Sequence, residues 1–263
     1  MLNKQAIWDT ENYYHQAREA SLDFSHPGLK KIKALAKQMA KILEVGCGEG
    51  TKLAQISQGK KTAWGVDITQ AAIERARRQY PNLQFKVADA ANLPYENNHF
   101  DLVYSVFSLE HFTRPQEVVS EMIRVTKRGG FTIWLAPNYG APNRVSPCFS
   151  GSRMTKLVNG FFRDLFWLVC PPKELNWLRV KPRATKTNYE IDWDVTVEPY
   201  LNSLKWTVLS LEEVIKEISS FWLEIPESRN LGQKLFAFLG KYQIYPFTYW
   251  GPHLLIVAKK IEI

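Results

Sequence analysis

The chain has few cysteines, no long uninterrupted apolar run and no low-complexity segment. Its three cysteines are odd in number and show no C-x-x-C spacing, which disfavours a disulfide framework or a cysteine zinc site. The most apolar segment, residues 161–170, is too short to span a bilayer and contains Arg163 and Asp164. Residues 1–16 lack the apolar centre of a signal peptide. These absences favour a globular protein of a reducing cytoplasm.

Acidic residues are scarce between Gly140 and Thr187, although the net charge of the whole chain is only +8. That segment holds nine basic and two acidic side chains, which leaves a charge of +7. Four acidic residues then follow without a basic neighbour: Glu190, Asp192, Asp194 and Glu198. The asymmetry indicates either an anionic ligand or partner surface, or a basic face that is only solvated.

Apolar strand-like segments and amphipathic helix-like segments alternate five times, with short connections between them. The predicted strands are residues 42–45, 62–66, 83–87, 100–106 and 131–135. Such alternation is typical of a parallel sheet with helices on both faces. We therefore predict an α/β fold with a Rossmann-like, doubly wound, seven-stranded and mostly parallel sheet.

The alternation stops at Pro137, which divides the predicted fold into three parts. These are residues 1–137 with N-terminal helices and the first part of the core, residues 138–209 as an inserted substrate cap, and residues 210–263 as the rest of the core. In the last part a capping box at Ser210 and Glu213 predicts a helix over 210–218. Two final strands are predicted at 221–225 and 254–259, and an aromatic-rich insertion at 231–252 lies between them.

Three glycines follow the first predicted strand, in the segment KILEVGCGEG of residues 41–50. In the dinucleotide fingerprint G-x-G-x-x-G the third glycine would fall at position 51, which is Thr51. Glu44 also lies inside the strand, and a pyrophosphate does not favour a nearby carboxylate. The loop therefore suits a ligand that is cationic or that donates hydrogen bonds.

Acidic side chains mark three successive strands near their carboxyl ends: Glu44, Asp67 and Asp89. Open α/β sheets bind ligands at that edge. Asp67 can accept hydrogen bonds from both hydroxyls of a ribose. Asp89 can accept from an exocyclic amine such as that of adenine, and Ala90 offers a backbone amide. A single such aspartate would more simply cap the following turn, but three in order predict a nucleoside site.

Four segments together resemble the class I S-adenosylmethionine-dependent methyltransferases, and in particular the type-11 group, which includes the quinone C-methyltransferases. They are ILEVGCGEG, WGVDIT, VADAANLPYENNHFDLVYSVFSLEHF and VTKRGGFTIWLAPN, and the resemblance covers roughly residues 35–138 together with the terminal helix and two strands. It implies S-adenosylmethionine as the cofactor. In that family the glycine loop holds the methionine part, the acid of strand two binds the ribose, and the Asp-Ala pair lines the adenine. The cofactor residues implied here are Glu44, Gly46, Cys47, Gly48 and Gly50, then Asp67 and Ile68, then Asp89 and Ala90, with Ser105 and Val106 under the sulfonium.

His111 is the candidate catalytic residue, because a hydroxyl nucleophile gains from a base and His111 follows strand four at the ligand edge. The alternative is a histidine that caps or packs a helix. We expect the acceptor substrate to contact the side chains of Tyr13, Tyr14, Asn138, Tyr139, Asp192 and Asp194. The spacing of Asp192 and Asp194 would put both on one face of a strand. A metal site there is weakly indicated, since no third ligand is assured, and we expect none.

The methyl acceptor is less well indicated than the cofactor. The residues after strand four read SVFSL, which lacks the Asn/Asp-Pro-Pro-aromatic box of nucleobase N-methyltransferases, so nucleic acid is not the expected partner. We expect methylation of a hydroxyl on a small molecule or glycan. The alternatives are C-methylation of a quinone-like or lipid-linked acceptor at a membrane surface, and an RNA-binding methyltransferase.

Aromatic residues of the predicted cap offer two ways to meet such an acceptor. Tryptophans there can stack on sugar rings or simply fill the core of the cap: Trp167, Trp177, Trp193 and Trp206. Residues 157–170 can form an amphipathic helix on an anionic membrane. The expected location is therefore the cytoplasm, with peripheral contact at the inner membrane through residues 140–187 as an open alternative.

Overall fold

A computed structural model describes residues 18–19, 21–58, 62–184, 190, 192–211, 213–221 and 231–261. Its centre is a seven-stranded sheet with the strand order β3-β2-β1-β4-β5-β9-β8. The strands are β1 Ile42–Val45, β2 Ala63–Asp67, β3 Gln84–Val87, β4 Phe100–Val106, β5 Thr126–Pro137, β8 Val214–Ser219 and β9 His253–Lys259. Neighbouring strands from β3 to β5 pair in parallel, and β9 runs antiparallel to both β5 and β8. The predicted mostly parallel, doubly wound sheet is confirmed.

Helices cover both faces of this sheet. They are α1 Pro27–Ala36, α2 Thr51–Ser57, α3 Gln70–Gln79, α4 Pro115–Val125, α5 Arg153–Phe166, α6 Leu201–Ser210 and α7 Leu231–Lys241, with a 3-10 turn at Leu109–His111. A second, two-stranded sheet pairs β6 Leu178–Arg179 with β7 Val197–Glu198. Within the described ranges, no helix has the length and apolar character needed to cross a membrane.

Two hydrophobic clusters form the core, one on each face of the sheet. Successive residues of a strand point to opposite faces, so Ile42 and Leu43 belong to different clusters. One cluster holds the buried sides of α1, α2 and α3, and the other holds those of α4 and α6. The parallel pairing of β1 with β2 and β4 places the loops that follow these three strands at one edge of the sheet.

The helix predicted over residues 210–218 is wrong. Residues 201–210 form α6 instead, and residues 214–219 form strand β8. The apparent capping box misled the prediction, whereas Val214, Ile215 and Ile218 are β-branched and pair with β9 at the edge of the sheet. Most of the strand predicted at 221–225 lies outside the described residues, and the strand predicted at 254–259 is confirmed as β9.

Between β5 and α6 the chain forms α5 and the small sheet, and it packs on the core through buried side chains. Trp167 and Trp177 are among them, with 4% and 9% of their surface exposed. Trp206 packs partly buried against the same cluster. These three tryptophans therefore fill the core in the structure. The division into parts at 137 and 209 stays a prediction.

Candidate active site

A cavity of about 470 Å³ opens at the carboxyl ends of β1, β2 and β4. Eleven of the predicted cofactor and substrate residues line it, together with the predicted catalytic histidine. The cofactor and substrate residues are Glu44, Gly46, Cys47, Gly48, Asp67, Ile68, Asp89, Ala90, Val106, Tyr139 and Asp192, and the histidine is His111. The sheet edge thus gathers into one space residues that are far apart in sequence.

The glycine loop after β1 leaves room in this cavity. Gly48 has a φ of +51°, and a Cβ built on it meets nothing within 4 Å. Gly50, the N-cap of α2, has a φ of +78° and faces away, because a Cβ there would come within 2.6 Å of the Phe85 ring. The loop therefore needs Gly48 and Gly50 in the left-handed region, and only Gly48 of the two borders the cavity.

Asp67 ends β2 and is held by two backbone amides. Its Oδ2 accepts from the amide of Gly48 at 3.0 Å, and its Oδ1 accepts from that of Thr69 at 2.9 Å. Burial raises the pKa of Asp67, and these hydrogen bonds oppose that effect. The carboxylate is thereby fixed at the cavity wall and also ties β2 to the glycine loop.

Glu44 is buried in β1, and its Oε2 has no hydrogen-bond partner within the described residues. Burial raises the pKa of Glu44, while the nearby Lys52 lowers it. Lys52, on the first turn of α2, also lines the cavity and donates to the hydroxyl of Ser21 at 3.0 Å. The wall beside the glycine loop therefore presents one carboxylate and one ammonium group.

At the other end of the cavity, Asp89 and Ala90 follow β3. The Oδ1 of Asp89 accepts from the amide of Ala91 at 2.9 Å, and its Oδ2 accepts from Arg114 at 2.7 Å. Ile68 lines the same region with 48% of its surface exposed. An exposed apolar side chain beside a carboxylate suits a flat ring that carries a donor group.

Some predicted site residues lie outside the cavity wall. Ser105 is fully buried in β4, whereas its neighbour Val106 reaches the cavity. Asn138 is also fully buried; its side chain donates to the carbonyls of Tyr249 and Gly251 and accepts from the amide of Leu201. Asn138 therefore joins the end of β5 to the start of α6. The predicted substrate residues Tyr13 and Tyr14 lie outside the described residues.

His111 ends the 3-10 turn after β4 and is surrounded by carboxylates. Its Nδ1 lies 3.2 Å from Asp194, and its Nε2 lies 3.8 Å from Oε1 of Glu110. Burial would lower the pKa of His111, but Asp194, Glu110 and Asp192 together raise it above its ordinary value. Both ring nitrogens of His111 thus have a carboxyl oxygen nearby.

The chain after β5 contributes the opposite wall. Tyr139 donates its hydroxyl hydrogen to Asp192, and both residues line the cavity. Thr196 connects this wall to the turn after β4 through two hydrogen bonds. Its amide donates to the carbonyl of Glu110 at 2.8 Å, and its hydroxyl donates to the carbonyl of Phe112 at 3.1 Å. The predicted acceptor residues Tyr139 and Asp192 are thus brought together with His111.

Sequence reasoning missed Lys52, Glu110 and Arg114, all of which line the cavity. A lysine in the first turn of the helix after the glycine loop was a usable signal for Lys52. Glu110 directly precedes His111, but nothing in the sequence shows that its carboxyl is buried. Arg114 is recognisable only through its contact with Asp89, which the fold creates.

Comparison with known proteins identifies the core. Residues 43–134 match the family model described as "Methyltransferase domain". The chain is 31% identical to a demethylmenaquinone methyltransferase of Renibacterium salmoninarum over 90 residues. This alignment covers 34% of this chain and 38% of that protein. It is 33% identical to the phthiotriol/phenolphthiotriol dimycocerosates methyltransferase of Mycobacterium leprae over 119 residues. That alignment covers 44% of this chain and 43% of that protein. The chain therefore spans less than half the length of these curated relatives.

A solved structure shares the whole fold. A SAM-dependent methyltransferase from Thermotoga maritima superimposes with a TM-score of 0.56 at 14% identity, covering 97% of this chain and 98% of that one. The fold of the protein is therefore that of a solved methyltransferase. Residues 43–134 match the model of a methyltransferase domain, and this segment contains all of the predicted cofactor residues.

Proposed function

We propose that the protein transfers a methyl group from S-adenosylmethionine to a hydroxyl of a small molecule or glycan. The observation that carries the proposal is that one cavity is lined both by the residues expected to hold the cofactor and by His111, whose Nδ1 lies 3.2 Å from Asp194. A cavity of about 470 Å³ lies within the range of small-molecule sites.

The residues present fit this cofactor. Glu44 has an unpartnered buried oxygen that suits an amino group, and the ammonium of Lys52 suits a carboxylate. The open space beside Gly48 admits the methionine part, and the fixed carboxylate of Asp67 suits the ribose hydroxyls. Ile68, Asp89 and Ala90 would line the adenine. Ser105 is buried beside Val106, and its contribution to cofactor binding stays a prediction.

When bound, the cofactor supplies an electrophilic methyl group on a sulfonium. The chain positions the acceptor oxygen and handles its proton: the bond from oxygen to the methyl carbon forms as the bond from carbon to sulfur breaks, and His111 takes the hydroxyl proton. The carboxyl group of Asp194, 3.2 Å from Nδ1, would favour a hydrogen on that nitrogen and so leave Nε2 free for this task. Such a base contributes about 10²–10⁴-fold to the rate.

Calorimetry with S-adenosylhomocysteine tests the cofactor site. Asp67→Ala should weaken binding by about 10-fold or more, because a charge-assisted hydrogen bond contributes about 1.5–3 kcal/mol. The matched control is Asp101→Ala, since Asp101 pairs with Lys127 outside the cavity. Unchanged affinity in Asp67→Ala would contradict the proposal. A screen of acceptor extracts with isotopically labelled cofactor then identifies the substrate.

A quinone-like or lipid-linked acceptor is the second candidate, and one surface favours it. Helix α5, the turn after it and α7 expose a set of large apolar side chains, here called the apolar surface. It consists of Met154, Val158, Phe161, Phe162, Leu165, Phe166, Leu168, Val169, Leu231, Leu235, Phe238 and Tyr242. On α5, the ring of Phe161 contacts that of Tyr245, which follows α7 in the chain. The two relatives named above carry quinone and lipid substrates in their names.

Basic residues flank the apolar surface, which suits an anionic membrane rather than a neutral one. Exposed Arg153 is the first residue of α5, exposed Lys173 follows the helix, and Lys234 and Lys241 lie on α7. Contact of residues 140–187 with the cytoplasmic face of the inner membrane would bring a lipid-linked acceptor to the cavity.

Sedimentation with phosphatidylglycerol vesicles separates the two candidates. The double variant Phe162→Ser/Val169→Ser should lose binding, while Leu22→Ser, an exposed leucine far from α5 in sequence, should keep it. A wild-type protein that stays in the supernatant removes the membrane candidate and leaves a soluble acceptor. The RNA alternative predicts an affinity for RNA that falls steeply with salt, and a flat response removes it.

A further inference from the structure

Three side chains beside the proposed acceptor position could ligate one ion. Glu110, His111 and Asp192 each offer one ligand atom, and these atoms lie within 4.8 Å of one another. We call them the Glu-His-Asp cluster. For comparison, two ligands on opposite sides of an ion with bonds of ~2.1 Å lie ~4.2 Å apart. A small movement of side chains would therefore close the cluster around an ion.

The charge of this region calls for a cation. Three carboxyl groups surround His111: Glu110 and Asp192 offer ligand atoms within 4.8 Å of its own, and Asp194 lies 3.2 Å from its Nδ1. Glu110 is only 1% exposed, and its Oε2 has no hydrogen-bond partner in the part of the chain that the structure describes. A buried carboxylate without a hydrogen bond is costly unless a cation or a proton accompanies it.

Neighbouring residues already orient two of the three ligands. Asp194 lies 3.2 Å from Nδ1 of His111, which leaves Nε2 as the ligand nitrogen. Tyr139 donates to one oxygen of Asp192. Metal-bound histidines commonly contact a carboxylate through their other nitrogen, and ligating carboxylates are themselves hydrogen-bonded. The cluster therefore has the outer contacts of a metal site as well as its ligands.

We infer that the Glu-His-Asp cluster binds one divalent cation with mixed nitrogen and oxygen ligation, such as Mn²⁺. Three protein ligands leave open positions that oxygens of the acceptor can occupy, in the same cavity as the residues expected to hold the cofactor. The acceptor class becomes one with two adjacent oxygens, such as a catechol or a vicinal diol. The role of this cation in methyl transfer rests on the proposed function.

The cation changes the path of the acceptor proton. An oxygen bound to the cation has a lowered pKa, so the hydroxyl loses its proton to solvent before the oxygen to carbon bond forms. His111 then acts as a ligand, with its Nε2 occupied, and not as the base. The two roles of His111 are mutually exclusive and can be told apart by experiment.

The test is binding of Mn²⁺ to the full chain after treatment with EDTA, followed by electron paramagnetic resonance of the free ion. We expect one saturable site, with Glu110→Gln and Asp192→Asn each weakening it at least ~10-fold. The matched control Glu74→Gln changes an exposed glutamate on α3 and should bind like the wild type. Circular dichroism confirms that each variant is folded.

Two results would overturn the inference: no saturable Mn²⁺ binding, or saturable binding that Glu110→Gln and Asp192→Asn leave unchanged. Neither result depends on activity, so failure of the proposed methyl transfer is recognised separately by the calorimetry with Asp67→Ala. If EDTA leaves methyl transfer intact while His111→Ala abolishes it, the general-base role stands and the cation has no part in methyl transfer.

Discussion

A pair of buried histidines should make the protein sensitive to acid. His26 precedes α1, and its Nδ1 accepts from the amide of Gly28 at 3.0 Å. Because Nδ1 is the acceptor, Nε2 carries the hydrogen and points at Nδ1 of His253, 3.3 Å away. Both rings are therefore neutral in the folded protein, and protonation of His253 at Nδ1 would place two hydrogens between them.

The magnitude follows from the pKa values. Burial lowers the pKa of His26 to about 4, and burial together with His26 and Arg144 lowers that of His253 to about 3. In the unfolded chain both have a pKa of about 6.5. The unfolded state therefore binds more protons below pH ~6.5, and stability is lost as the pH falls from there towards about 4. At pH 5 each histidine accounts for a loss of about 2 kcal/mol.

Urea denaturation at pH 7.5 and pH 5.0 measures this loss. His253→Phe removes one of the two groups, so its free energy of unfolding should fall by about 2 kcal/mol less than that of the wild type over this interval. At pH 7.5 the variant should be about 1 kcal/mol less stable, because His26 loses an acceptor. The control His99→Gln removes a histidine outside the pair and should keep most of the acid loss. Equal losses in the wild type and His253→Phe would refute the reasoning.

Three further predictions concern the glycine loop, the histidine and the end of α4. Gly50→Ala should destabilise the fold by about 1 kcal/mol or more in urea, because its φ is +78° and a Cβ would contact the Phe85 ring; wild-type stability would contradict this. Asp194→Asn should lower kcat more than it changes KM and should flatten the pH profile, since it perturbs the tautomer and pKa of His111; an effect on KM alone would count against a positioning role. Lys260→Met should cost about 1–3 kcal/mol in thermal unfolding, because its ammonium donates to three carbonyls at the end of α4, and no change in Tm would show that water replaces it.

The parallel half of the fold was predictable because its signals are local and repeat. Each of β1, β2 and β4 is a short apolar run, and acids or glycines follow at the ligand edge. Because parallel strands end at one edge, Glu44, Asp67 and Asp89 had to meet once the strand order was assigned. That these three acids line one cavity could therefore be inferred from the strand ends alone.

The antiparallel edge and the acceptor wall depend on tertiary pairing that the sequence does not display. Residues 214–219 follow an apparent capping box, but pairing with β9 determines their conformation. Asn138 looked available for a substrate, yet three hydrogen bonds to distant backbone groups occupy its side chain. The burial of Glu110 arises only because the chain after β5 covers the turn in which it lies.

Thr196 has a consequence for how the cavity wall formed by the chain after β5 can change. Its hydrogen bonds to the carbonyls of Glu110 and Phe112 use only backbone acceptors on the core side, so they impose no side-chain identity there. Substitutions of the cavity-lining residues around Tyr139 and Asp192 should therefore leave the hydrogen bonds of Thr196 intact. These hydrogen bonds would keep the wall in its position on the core. The proposed acceptor specificity could then change through this wall alone, without any change in the strands that carry the predicted cofactor residues.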